Sequence, residues 1–131
     1  MKQFLIILIT LMLSSCSKND EMPDQIIGKW KLIQVQIFGF GGLYSEDYSN
    51  KNIVYEFQSN GVLIVSGGKN EGYSPGKYNY FFGQDHLGGS NDPKILLVKI
   101  NDSKWTYGLK ESKMTLGKSY VDGPNLIFTR K

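Results

Sequence analysis

From Ile26 onward the apolar positions alternate. Ile53, Tyr55 and Phe57 fall on one side of an extended chain, with Val54, Glu56 and Gln58 on the other. Trp105, Tyr107 and Leu109 alternate in the same way with Thr106, Gly108 and Lys110, and Leu126, Phe128 and Arg130 share a further face. A period of two places successive side chains on opposite faces of a strand. No segment holds a 3.6-residue period over three turns. The spacing predicts eight strands, about Gly28–Phe38, Ile53–Gln58, Val62–Ser66, Lys77–Phe82, Lys94–Ile100, Lys104–Lys110, Lys113–Lys118 and Asn125–Arg130. Turn residues separate them. Ser59-Asn60-Gly61 joins two apolar runs as a hairpin, because Asn and Gly tolerate positive φ; Asn101-Asp102-Ser103 and Asp122-Gly123-Pro124 mark two more turns. One apolar and one wet face per strand, with short connections, predicts an all-β antiparallel architecture, a barrel or a sandwich.

The first residues follow another pattern. Lys2 precedes the apolar run Phe4–Leu13. A membrane-spanning helix takes about 20 apolar residues, so this shorter run reads as the core of a secretory signal. It ends in Leu13-Ser14-Ser15-Cys16, which resembles the lipobox of bacterial lipoproteins. The resemblance implies that the Cys16 thiol takes a diacylglyceryl group and that cleavage leaves Cys16 as the mature N-terminus. Acyl chains anchor at about 0.8 kcal/mol per buried CH₂, so two or more hold firmly. The expected organisation is therefore a signal peptide over residues 1–15, a lipidated tether over 16–25 and one β-barrel domain over 26–131. Ser17 after the Cys is not the Asp that retains some lipoproteins at the inner membrane. Ser17-Lys18-Asn19-Asp20-Glu21 resembles a surface-export signal. The expected location is the bacterial outer membrane, on its periplasmic face or at the cell surface.

Gly28-Lys29-Trp30 opens the first strand and Arg130 closes the last. A Gly-x-Trp paired with a basic residue on the final strand resembles the lipocalin superfamily. Tyr55-Glu56-Phe57-Gln58-Ser59-Asn60-Gly61, Trp105-Thr106-Tyr107 with Met114-Thr115-Leu116, and the closing Phe128-Thr129-Arg130-Lys131 look like hairpins of the small bacterial lipocalin-like lipoproteins. The resemblance implies an eight-stranded antiparallel up-and-down barrel, with Gly28, Trp30 and Arg130 closing its base. A barrel of that size is just wide enough to be filled by side chains or to hold one small molecule. The residues expected around such a cavity are Tyr55, Phe57, Tyr78, Tyr80, Val98, Trp105, Tyr107, Met114 and Phe128. The segment Phe38–Asn52 reads as a long connection carrying Phe38, Phe40, Leu43, Tyr44 and Tyr48. In lipocalins the first connection is a lid over the mouth, and the resemblance extends that role here; a plug completing the core is the other reading of the same residues.

Composition narrows the chemistry. The chain of 131 residues is 40% hydrophobic, 13% aromatic and 21% charged, with a formal net charge of +3. Its charges are scattered, without the basic stripe that nucleic-acid binding requires. Cys16 and His86 are the single cysteine and histidine; a zinc site needs three or four convergent ligands, and Asp85, Asn91 and Asp92 do not have calcium-loop spacing. Gly88-Gly89-Ser90 lacks the second glycine of a nucleophile elbow, and Gly72-Tyr73-Ser74-Pro75-Gly76-Lys77 is too short for a phosphate loop. Glu46 and Asp47 are adjacent, so on a strand they point to opposite faces. A non-enzyme without metal or cofactor is expected. Two readings remain. One is a binding protein for a small apolar or amphipathic molecule. The other is an envelope interaction protein with a filled barrel and a protein partner, acting through exposed aromatics at Tyr44, Tyr48 and Tyr73.

Overall fold

The computed structural model describes residues 25–131. The expected signal peptide, Cys16 and the expected tether up to residue 24 lie outside the described residues. Nine strands form one antiparallel sheet: β1 (Gly28–Gly39), β2 (Gly42–Asp47), β3 (Val54–Phe57), β4 (Val62–Ser66), β5 (Gly76–His86), β6 (Lys94–Ile100), β7 (Ser103–Lys110), β8 (Lys113–Gly117) and β9 (Asn125–Arg130). Strands β3 to β9 pair in chain order and β9 pairs back onto β1, so these and β1 close an eight-stranded up-and-down barrel. Closure leaves the wall without a free edge.

Strand β1 organises the rest. One side of it pairs with β9 from Trp30 to Gln36. The other side pairs first with β3, over Gly28–Lys31, and then with β2, over Gln34–Gly39. Between the two the chain turns inward: the Tyr48 amide donates to Ile33 O and the Leu32 amide to Ile53 O, each at 2.9 Å, and both Tyr48 and Ile53 are buried. A register shift between Leu32 and Gln34 on the β9 side bends β1 at the same level.

The Phe38–Asn52 segment is therefore not a long loop. Its first part continues β1 to Gly39, turns over Phe40-Gly41 and returns as β2. Gly41 and Gly42 have φ of 106° and 116°, which side-chain-bearing residues rarely adopt. All six residues of β2 are exposed, so the β1–β2 ribbon stands beyond the barrel wall. Strand β5 is also longer than the expected Lys77–Phe82, because Gln84, Asp85 and His86 continue its pairing with Leu96, Ile95 and Lys94.

The base is sealed from below. Ile26 lies under Trp30, both buried, and the indole Nε1 donates to Ile26 O at 2.8 Å. The Arg130 guanidinium stacks over that indole, 4.0 Å from its centroid. It also donates to the carbonyls of Ile27 and Gln25. Gly28 has φ of 123°, and a Cβ there would stand 2.6 Å from Arg130 Nη1. The glycine of Gly-x-Trp thus leaves room for the arginine.

Candidate functional site

The aromatic residues of the interior meet one another rather than an open cup. Tyr55, Phe57, Val98, Met114 and Phe128 are fully buried and Trp105 is 3% exposed. The Tyr55 and Phe128 rings lie 4.9 Å apart, Phe57 and Tyr80 5.0 Å, and Phe82 and Tyr107 4.7 Å, all tilted or edge-on. These are favourable aromatic geometries. Tyr78, Tyr80 and Tyr107 are partly buried and pack against the same cluster. The structure thus brings all nine expected cavity residues together, as packing.

The end of the barrel away from Arg130 is covered by the β4–β5 connection, residues 67–75. Asn70 organises it. Its Oδ1 accepts from the Tyr55 hydroxyl at 2.8 Å, from Gly72 N at 2.7 Å and from Tyr73 N at 3.2 Å. Its Nδ2 donates to Tyr73 O at 2.8 Å. The Tyr55 oxygen accepts in turn from Tyr73 N at 3.0 Å. Tyr73 then crosses to β7, where its hydroxyl accepts from Trp105 Nε1 at 2.8 Å. A Cβ on Gly72 would meet Tyr55 Oη at 2.4 Å and Leu126 Cδ1 at 2.8 Å, so the connection touches β3, β7 and β9 at once. Lys118 completes the cover, its ammonium 4.5 Å from the Trp105 ring centroid.

Burial dominates the electrostatics here. It pushes the Tyr55 hydroxyl far above the usual tyrosine range and raises Tyr73 as well. Away from the cover it also raises Tyr80, which donates to Gln58 O, and Tyr107, on which the Arg130 charge acts the other way. It lowers the Lys118 ammonium. Desolvation disfavours each charged form, so the Tyr55 and Tyr73 hydroxyls under the cover stay protonated, beside a lysine shared with an indole face.

The five residues read as a lid divide. Phe38, Phe40, Leu43 and Tyr44 project from the ribbon, between 45% and 107% exposed. Tyr48 is buried, with the Lys51 ammonium 3.9 Å from its ring centroid. Of the aromatics expected to be exposed, only Tyr44 is; Tyr73 is partly buried in the cover. His86 is the last residue of β5, beyond the strand end expected at Phe82. Its amide donates to Asp85 Oδ1 at 2.7 Å, and Lys104 Nζ lies 3.3 Å from Asp85 Oδ2. The amide bond from His86 holds the Asp85 carboxyl below its ordinary range, and bonds from Ser49 do the same for Asp47. Among the described residues no three His, Cys, Asp or Glu side chains converge as a metal site.

Sequence reasoning missed Asn70, Gly72 and Lys118, and placed Tyr73 outside. The one available signal was a tyrosine within a run of glycine and polar residues, where a large ring without a strand to carry it has to find a surface to cover. No family model, curated protein or solved structure matches this chain.

Proposed function

We propose that this protein is a non-catalytic, lipid-anchored lipoprotein of the bacterial outer membrane, related to the small lipocalin-like lipoproteins, whose filled barrel is a scaffold for an outer interaction surface. The observation that carries the scaffold reading is the state of the interior. The residues placed around a cavity by the sequence pattern are buried or half-buried against one another, and the 67–75 connection is bonded over them. An eight-stranded barrel filled in this way has no room to enclose a ligand without moving that cover. The anchor rests on Leu13-Ser14-Ser15-Cys16 behind its apolar run.

Two measurements test the two parts. A Cys16→Ser protein is expected to leave the membrane fraction; retention there would remove the lipid anchor. The wild-type protein titrated with an environment-sensitive apolar dye is expected to show no saturable signal. Saturable binding that Trp105→Ala abolishes would instead favour the small-ligand reading. One observation favours that second reading: the cover is held to the core largely through polar bonds of Asn70, Tyr55, Tyr73 and Trp105, so its displacement would open an aromatic cup.

A further inference from the structure

Among the described residues, four large exposed hydrophobic side chains, Phe38, Phe40, Leu43 and Tyr44, gather at the end of the β1–β2 ribbon. Phe38 and Leu43 are a cross-strand pair, and so are Ile37 and Tyr44. Pairs one step apart along a ribbon lie on opposite faces. Phe38 and Leu43 are exposed on one, and on the other Ile37 packs back against the core while Tyr44 is exposed, so each face presents an exposed apolar or aromatic side chain. Phe40 tops the turn and is fully exposed. From Ile37 to Ser45 the sequence carries no charged side chain. Val121, 59% exposed, belongs to the neighbouring β8–β9 connection, and Asp122 of the same connection lines a groove with Phe38, Gly39 and Phe40.

We propose that this ribbon end enters the headgroup–acyl boundary of a phospholipid bilayer. A protein partner covering a ribbon presses on one face and leaves the other wet. A ribbon apolar on both faces and at its tip suits immersion in a medium that surrounds it. The dimensions agree. Strand residues rise about 3.4 Å each, so Glu46, the first acidic residue on β2, stands roughly 15 Å back from the turn. Interfacial segments bury their apolar side about 5–10 Å deep, which takes in Phe38, Phe40 and Leu43 and leaves Glu46 and Asp47 in water. Tyr44 has the amphipathic ring favoured at that depth. Asp122 is the carboxylate beside the tip. It limits the depth to the headgroup layer, and with no basic residue on the ribbon end it favours zwitterionic over anionic lipid. The inference deepens the reading of a scaffold that works from its outer surface. The two fail separately, since saturable dye uptake would overturn the scaffold without touching the ribbon.

The test uses the full chain carrying Phe40→Trp, mixed with phosphatidylcholine vesicles whose acyl chains are brominated near the headgroup. The native Trp30 and Trp105 are buried in the barrel and give a constant background, measured on the parent protein. Phe81→Trp serves as the control, because Phe81 is exposed on β5, three strands round the barrel from β1. The residue introduced at position 40 is expected to shift its emission to the blue and to lose intensity to bromine, while the one at 81 does neither. Emission at 40 that stays water-like and unquenched would overturn the proposal in favour of a protein partner or a free ribbon. Equal quenching at 40 and 81 would overturn it in favour of unspecific adsorption. Tyr44→Trp provides a second position on the ribbon should the first variant fold poorly.

Discussion

The indole N–H of Trp105 donates to the Tyr73 hydroxyl at 2.8 Å, joining β7 to a connection 32 residues away in sequence. Trp105 is almost wholly buried, so no water replaces that acceptor when it is lost. Tyr73→Phe keeps the ring and removes the oxygen, leaving a buried donor unsatisfied. A loss of about 1–3 kcal/mol in unfolding free energy is expected, read from the denaturant midpoint. Hydrogen exchange should quicken across 67–75 before it does in β3 or β9. An unchanged midpoint with unchanged exchange would mean that the cover does not depend on this bond.

Gly72 tests the cover from the other side. A methyl group there would stand within 2.8 Å of Tyr55 Oη, Asn70 Oδ1 and Leu126 Cδ1, so the connection has to lift or Tyr55 has to shift. Gly72→Ala is expected to lower stability by about 1–3 kcal/mol, the range of an overpacked contact. If lifting the cover uncovers an aromatic cup, the variant will also take up an apolar dye that the parent ignores. Destabilisation without dye uptake would show that the interior stays filled when its cover is displaced.

Strands with one dry face were legible from sequence, because burial itself imposes alternation. Ile53, Tyr55 and Phe57 fall on the same side of the chain in sequence and all are buried; the Asn60-Gly61 turn fixes where that strand ends. Strand β2 carried no such mark. All six of its residues are exposed, so nothing selects a period, and its glycines read as loop. The Phe38–Asn52 segment therefore looked like one long connection, although only its latter part leaves the sheet and buries Tyr48. The cover was illegible for a different reason. Asn70, Gly72 and Tyr73 are held by polar bonds and close approach, which depend on groups brought from β3 and β7 by the closed sheet.

The base offers a prediction with an internal control. Arg130 stacks 4.0 Å from the Trp30 centroid and donates to the carbonyls of Gln25 and Ile27. Arg130→Ala is expected to cost about 1–3 kcal/mol, combining a cation–π contact with charge-assisted bonds. Arg130→Lys keeps the charge but lacks the planar fork, and should recover part of that loss. Gly28→Ala should be at least as damaging as Arg130→Lys, because it combines a positive φ with a Cβ 2.6 Å from the guanidinium. Thermal unfolding of the three variants orders them; a neutral Gly28→Ala would mean that the base rearranges freely around Trp30.

Alkaline pH should unfold the barrel through Tyr55. Its folded hydroxyl is held protonated by burial far above the ordinary value near 10. The unfolded chain releases that proton around pH 10, whereas the folded barrel keeps it. The contribution is therefore complete below the unfolded pKa and falls as pH rises past it, by about 1.4 kcal/mol per pH unit for each such tyrosine. Tyr73, Tyr80 and Tyr107 are raised in the same direction and steepen the decline. Stability should thus be level from neutral pH to about 9 and drop steeply beyond 10. Tyr55→Phe loses the Asn70 and Tyr73 bonds, so it begins lower at neutral pH. Its alkaline slope should be shallower by up to one proton's worth. Denaturant unfolding followed across that range gives both slopes; identical slopes would show that Tyr55 ionises as readily in the folded barrel as in the open chain.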